Sequence, residues 1–381
     1  MNGSARRRSA LWPRWVPALV VLIGAWHSGV AAQCPKVLMF DGINVKTEAG
    51  LQQAAYWGQT VGVQGVFVNN VMAYWQADVG TDPGSKLWQQ ARLFQSNYAK
   101  YGATDNFIKD ALYKAHDWNS AGQNSAVIAH FAHAAALARY AGFKGIALDL
   151  EPYTPTWVAA GGAGLAATIE REGRGIGQAM FAAYPDMTLI VMPDVLESSD
   201  RYKTFKQKFM SGVHQLKSGN THLSRHGNYA FAVPFLRGLL SVPWKQVVIG
   251  LEQTYSRNSD GIANTVPRSR QLYTEFVQEN GATGTVPGSA TGLWPLGRTS
   301  QDKSARETPE RFAQRLRVAS DVSDDYVWIY AKGGTWQADE RPSAAPLAPD
   351  FRQFVAAIHQ ARADCMAVDA TRRDGSTAAR H

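Results

Sequence analysis

Gly142-Phe-Lys-Gly-Ile-Ala-Leu-Asp149-Leu-Glu151-Pro-Tyr153 is the stretch that decides the fold of this chain. Successive side chains of a strand point to opposite faces. Ile146, Leu148 and Leu150 therefore form one apolar face, while Gly145, Ala147, Asp149 and Glu151 form a second face, small and then acidic. Gly142 closes the helical pattern before it, and Pro152 has no amide proton to continue a ladder. The pattern predicts a short buried strand that ends in two carboxylates. In a parallel β/α barrel, the C-terminal end of a strand is where active sites are built.

The rest of the chain repeats this grammar. Strands are expected at 36–41, 63–70, 106–112, 187–194, 246–252, 291–295 and 325–332. Helices are expected at 51–57, 125–140, from a glycine-rich loop at 159–164 to about 184, and at 202–216, 271–279, 309–318 and 350–363. Thr308 is placed to cap the helix at 309–318. The stretch 229–240 reads as helix in spite of Pro234, with a strand as the alternative. In the sixth strand Val247, Ile249 and Leu251 face outward, and Val248, Gly250 and Glu252 face inward. Ile190, Met192 and Asp194 likewise share one face. Strand and helix alternating about eight times argues for a single (β/α)8 TIM-type barrel, an α/β fold. An open doubly wound sheet is the alternative, but Gly173-Arg-Gly175-Ile-Gly177 has the wrong spacing for a dinucleotide fingerprint.

The chain has 381 residues and a formal charge of +8. Arg6, Arg7, Arg8 and Arg14 near the start, and Arg362, Arg372, Arg373 and Arg380 near the end, hold much of the basic excess. A nucleic-acid binder needs a basic stripe on a folded face, so that partner is not expected. The basic residues to Arg14, the apolar run to Ala25 and the small residues Val30-Ala31-Ala32 make residues 1–32 a secretory signal, cleaved before Gln33. Its apolar part is too short for a comfortable membrane span, so no stable span remains after cleavage. Export to a periplasm or the outside follows. Residues 33–366 are then the barrel, and 367–381 a disordered tail. The two cysteines, Cys34 and Cys365, stand at opposite ends of the mature chain, and an oxidising compartment favours a disulfide between them. The expected state is a monomer.

Several strands end in a polar residue: Asp41, Asn69, Asp149 with Glu151, Asp194, Glu252, and Tyr330 with Lys332. An acid after a strand is often only a turn or a helix cap, and for Asp41 that bland role is favoured. Two adjacent carboxylates on an inner face repel each other, and that suggests a purpose. Glycosidic bond cleavage needs a protonated acid at the leaving oxygen and a negative group near the developing cation. Glu151 is expected as the acid and Asp149 as its partner. Glu252, or else Asp194, is the second carboxylate. Tyr153, Tyr255 and Tyr330 are candidates for hydrogen bonds to the sugar. Trp75, Trp157, Trp294 and Trp336 follow strand ends, where indoles can stack on pyranose rings. His130 and His133 have a metal-compatible spacing, but with no third ligand a surface or capping role is favoured. No metal or cofactor is expected.

Lys144-Gly-Ile-Ala-Leu-Asp149-Leu-Glu151 resembles the strand-four motif of glycoside hydrolase family 18, of the form D-G-x-D-x-D-x-E. Only its last two acids match, and Lys144 and Ala147 stand where that family has aspartates. Residues 325–330 with Trp336 resemble the last strand of such barrels, which carries an aromatic floor. The resemblance implies an enzyme that cleaves a poly- or oligosaccharide. Two other classes compete with it. One is a non-catalytic, lectin-like barrel, in which Lys332 would neutralise a needed carboxylate. The other is a metal-dependent hydrolase using Asp41, Asp149, Glu151 and Asp194.

Overall fold

Short apolar runs bounded by turns form β1 (Lys36–Phe40), β2 (Gly65–Val68), β3 (Phe107–Ala111), β4 (Gly145–Asp149), β5 (Thr188–Met192), β6 (Gln246–Leu251), β7 (Gly288–Leu293) and β8 (Tyr326–Tyr330). Each pairs in parallel with the next, and β8 pairs with β1, so the sheet closes in sequence order. This is the expected (β/α)8 barrel. The structure, a computed structural model, describes residues 34–69, 71, 82–112, 116–151, 164–198, 232–279, 285–296, 307–331, 336 and 349–378.

Period-two alternation divides the buried residues into two cores. Ile146, Leu148, Val247, Ile249 and Leu251 face the helical shell, together with most other large aliphatics. Leu38, Phe40, Phe67, Phe107, Ala147, Ile190, Met192, Val248, Ala290, Tyr326 and Trp328 fill the lumen. Burying each large apolar side chain contributes about 1.5–3 kcal/mol. Trp328 has room because β6 and β7 face it with glycines. A Cβ on Gly250 would lie 2.3 Å from the Trp328 ring, and one on Gly292 would lie 2.6 Å from the Tyr255 ring.

The helices in chain order are α1 (Glu48–Gln52), α2 (Lys86–Lys100), α3 (Ala121–Ala141), α4 (Leu165–Ala183), α5 (Val195–Ser198), α6 (Ala232–Leu240), α7 (Ser259–Glu279), α8 (Pro309–Val322) and α9 (Pro349–Ala378). Gly142 ends α3 in the left-handed conformation at φ 84°. The Thr308 side chain caps α8 by accepting from the Arg311 amide at 3.3 Å. α6 is helical with Pro234 inside it, as expected. Cys34 and Cys365 form the expected disulfide, with Cα atoms 5.8 Å apart. It fastens α9 where the chain enters β1. Arg362 donates to the Gly62 carbonyl from the same helix.

Four expectations need correction. The helix at 51–57 is divided into α1 and a π-helical turn, Tyr56–Val61, closed by Gly62 at φ 83°. The helix at 271–279 begins a further twelve residues earlier, at Ser259, and carries Pro267 within it. A proline there removes one ladder bond, and apolar burial of Ile262, Val266 and Tyr273 outweighs that loss. Where a disordered tail was expected from 367, the backbone of α9 stays helical to Ala378. His130 is buried, with Nε2 2.7 Å from Asp110 Oδ2, and so has neither a surface nor a capping role. It partners an acid that parity turns outward from β3. The stretch 202–216, Trp75 and Trp157 lie outside the described residues.

Candidate active site

The candidate groups gather at the mouth formed by the C-terminal ends of the strands. β4 delivers Asp149 into the lumen, where it is 2 % exposed. Its Oδ2 lies 2.6 Å from Lys109 Nζ, and both side chains are buried. Lys109 comes from β3, where Phe107, Lys109 and Ala111 share the lumen face. It is in register with Ala147, one inward layer below Asp149. Ala147 is small, which leaves the lysine stem space to rise to the carboxylate. The ammonium also lies 5.6 Å from the Phe40 ring centroid. Asp149 Oδ1 accepts from the Glu151 amide at 2.8 Å. One carboxylate thus neutralises the lysine and fixes the backbone that presents Glu151.

Glu252 follows β6 at the first position of a 3-10 turn, Glu252–Ser256. Inward parity continues through Val248 and Gly250 to this residue. Glu252 is partly exposed, walled in by protein but open to solvent. Its carboxyl is hydrogen-bonded to that of Glu151. Desolvation pushes its pKa well above the ordinary carboxylate value, and the charges of Glu151 and Asp149 add to the rise. Lys109 opposes the rise without cancelling it. The raised pKa favours the protonated form of Glu252 beside the Glu151 carboxyl.

Three partly exposed aromatic residues stand around this pair. Tyr255, from the same turn, stacks on Tyr330 at 5.4 Å and 18°. Trp294 meets Tyr330 edge-on at 4.9 Å and Tyr255 at 5.8 Å. Trp328 donates from Nε1 to the Tyr255 hydroxyl at 3.1 Å. Desolvation first, and then the Glu252 charge, push Tyr330 up to about 12 and Tyr255 well above its usual value. Both phenols therefore stay protonated at any ordinary pH.

The remaining expected residues lie elsewhere. Asn69 ends β2 on the lumen parity, in a bridge with Asn44, and is partly exposed. Asp41 is buried after β1 on the outward parity, and its Oδ1 accepts from the Gly42 amide. Asp194 is taken up by structure. It accepts from the Leu196 amide at 3.1 Å, Gln253 Nε2 at 3.1 Å and Ser269 Oγ at 2.6 Å. It caps α5 and does not face the glutamates. Trp336 is fully buried between α8 and α9 against Phe351, Phe354 and Phe312, so it is no sugar platform. Tyr153 and Lys332 lie outside the described residues.

Lys109 pairs with a cleft carboxylate, which the lectin-like alternative expects of Lys332, and its inward parity on β3 is the signal that could have found it. Among the described residues no group of three or more His, Cys, Asp or Glu is arranged to hold a metal ion. A four-carboxylate metal site is not assembled there, because Asp41 and Asp194 point away and Lys109 holds Asp149. No helix among the described residues is long and apolar enough to cross a membrane.

No protein-family model matches the chain, and no curated protein matches it. Solved structures do. A GH5-4 broad specificity endoglucanase from an uncultured bacterium is 10% identical with a TM-score of 0.50, over 87% of this chain and 95% of that one. A GH18 chitinase from Pseudoalteromonas aurantia is 10% identical with a TM-score of 0.42, over 86% and 99%. D-psicose 3-epimerase, solved in the presence of D-fructose, is 12% identical with a TM-score of 0.45, over 86% and 97%. At such identities the likeness is one of fold.

Proposed function

We propose that this protein is an exported glycoside hydrolase whose acid–base machinery is the Glu151–Glu252 pair. The observation that carries the proposal is the hydrogen-bonded carboxyl pair, partly open to solvent at the barrel mouth and flanked by Tyr255, Trp294 and Tyr330. Glu252 holds the proton, and Glu151 is the carboxylate. This reverses the roles suggested by the sequence alone, because burial and the charges of Glu151 and Asp149 raise the Glu252 pKa. Lys109 holds Asp149 in a buried ion pair, and Asp149 in turn holds the Glu151 backbone.

Retaining glycosidases separate their carboxyls by about 5 Å and inverting ones by about 6.5–9.5 Å. A hydrogen-bonded pair is closer than either. An entering sugar therefore parts the two groups and frees the Glu252 proton for the leaving oxygen. Glu151 then faces the developing positive charge at the anomeric carbon. Protonated Tyr330 is placed to hydrogen-bond the sugar, and Trp294 and the two tyrosines offer apolar ring faces to it. Residues 1–32 direct export, and the disulfide is compatible with it. The protein acts as a monomer on a carbohydrate substrate, without metal or cofactor.

The test is reducing-end release by the mature protein from neutral, N-acetylated and uronic polysaccharides. Release from one of them supports the proposal and names the glycan. Binding of a glycan with no release from any would replace the hydrolase with a lectin-like barrel.

A further inference from the structure

Arg315 lies on α8, away from the lumen, and is 1 % exposed. Its Nη2 donates to two consecutive carbonyls, Thr254 at 2.8 Å and Tyr255 at 2.9 Å. Its Nη1 is ion-paired with Glu307. Those carbonyls belong to the turn that carries Glu252 and Tyr255. A second fastening holds the same turn. Thr254 Oγ1 lies 2.5 Å from the Leu251 carbonyl and 2.8 Å from that of Gly292, and it accepts from the Gly292 amide at 3.1 Å. The Glu307 amide donates to the Pro295 carbonyl at 2.8 Å, one residue beyond Trp294. One guanidinium therefore ties the acid, the stacking tyrosine and the strand end that bears the tryptophan.

We infer that Arg315 is a positioning residue that fixes the Glu252–Tyr255 turn in register with Glu151 while touching neither the cleft nor a substrate. A buried arginine is costly to desolvate, and burial alone lowers its pKa to about 10. Its planar fork suits two adjacent carbonyls and a carboxylate at once, whereas an ammonium can satisfy them only as a point charge. Loosening this turn lets the Glu252 carboxyl move away from Glu151. Two consequences follow: the proton affinity of Glu252 falls toward that of an ordinary carboxylate, and the acid is misplaced. A misplacement of about 1 Å is enough to cost about 100-fold in rate.

The inference rests on the glutamate-pair reading of the site. Its test has one arm that needs no substrate. Glu252 is titrated by carbon-13 NMR of carboxyl-labelled glutamate in the wild type, in Arg315→Lys and in Thr254→Val. In parallel, kcat, KM and the pH profile are measured on whichever glycan is cleaved. The expected result is a lower Glu252 pKa in both variants and a basic limb of the pH profile moved to lower pH. With these, kcat should fall about 10- to 100-fold and KM should change little. The double variant Arg315→Met with Glu307→Gln removes both buried charges together and should show the same titration shift. A lower melting temperature with the Glu252 titration unchanged would overturn the inference and leave Arg315 a structural residue only. If the wild type cleaves no glycan, the hydrolase reading fails while the titration arm still decides the role of Arg315.

Discussion

Replacing Glu252 with glutamine should change how stability depends on pH, and no substrate is needed to see it. In the native protein burial and two neighbouring carboxylates raise the Glu252 pKa well above its ordinary value of 4.5. In the unfolded chain these influences are gone. Between the two pKa values the folded state therefore holds a proton that the unfolded state has released. Stability falls as pH rises through this window, and it is flat below the unfolded pKa and above the folded one. The slope cannot exceed about 1.4 kcal/mol per pH unit for one proton. Unfolding entropy is about 2.1 cal/mol/K per residue, so for a barrel of this size that slope is about 2 °C in Tm per pH unit. Glutamine is nearly isosteric and cannot ionise. Glu252→Gln should thus match the wild type near pH 4 and gain on it steadily as pH rises. Other acids with raised pKa values, Asp110 and Asp325, titrate in both proteins and cancel in the difference. Differential scanning fluorimetry from about pH 4 to 9 reads the effect directly. Parallel curves for the two proteins would refute the claim that Glu252 carries a proton in the native state.

Three other substitutions probe the neighbouring parts of the barrel. Lys109→Met leaves Asp149 buried without its cation and should cost about 3–5 kcal/mol in urea denaturation, most of it recovered by adding Asp149→Asn. The same change removes the charge that lowers the Glu252 pKa, so the basic limb of any activity profile should move to higher pH. Trp294→Ala should remove an aromatic contact worth about 0.5–1.5 kcal/mol, seen as a KM or Kd for the glycan raised roughly 2- to 13-fold with kcat little changed. Cys34→Ser with Cys365→Ser opens a loop of 331 residues and should cost about 2–4 kcal/mol in thermal or urea unfolding, without altering activity at 25 °C.

Much of the architecture was legible because period-two alternation is a local signal. Ile146, Leu148 and Leu150 against Ala147 and Asp149 placed β4, and Val247, Ile249 and Leu251 against Gly250 and Glu252 placed β6 with the correct faces. The disulfide was legible because a chain with two cysteines leaves one pairing. Parity was also enough to mark Lys109, but a lysine on a lumen face contradicts its usual exposure, so its role emerges only with Asp149 above it. Asp194 illustrates the opposite failure. Its parity matched a site residue, yet Gln253 and Ser269, both distant in sequence, claim its oxygens. Trp336 failed for a similar reason, since a tryptophan after a strand end serves a helix interface as readily as a cleft. Arg315 left a faint mark. It interrupts the apolar stripe of Phe312, Leu316 and Ala319 on α8, and a charge in such a stripe signals a buried partner.

The central claim is that Glu151 and Glu252 act as one acid–base pair, and the most direct measurement compares reducing-end release by the wild type, Glu151→Gln and Glu252→Gln across pH. The account predicts a bell-shaped profile for the wild type and a loss of about 100-fold or more in each variant, with both variants still binding the glycan. Full release by either variant would contradict the assignment of that glutamate, and full release by both would remove the pair from the mechanism.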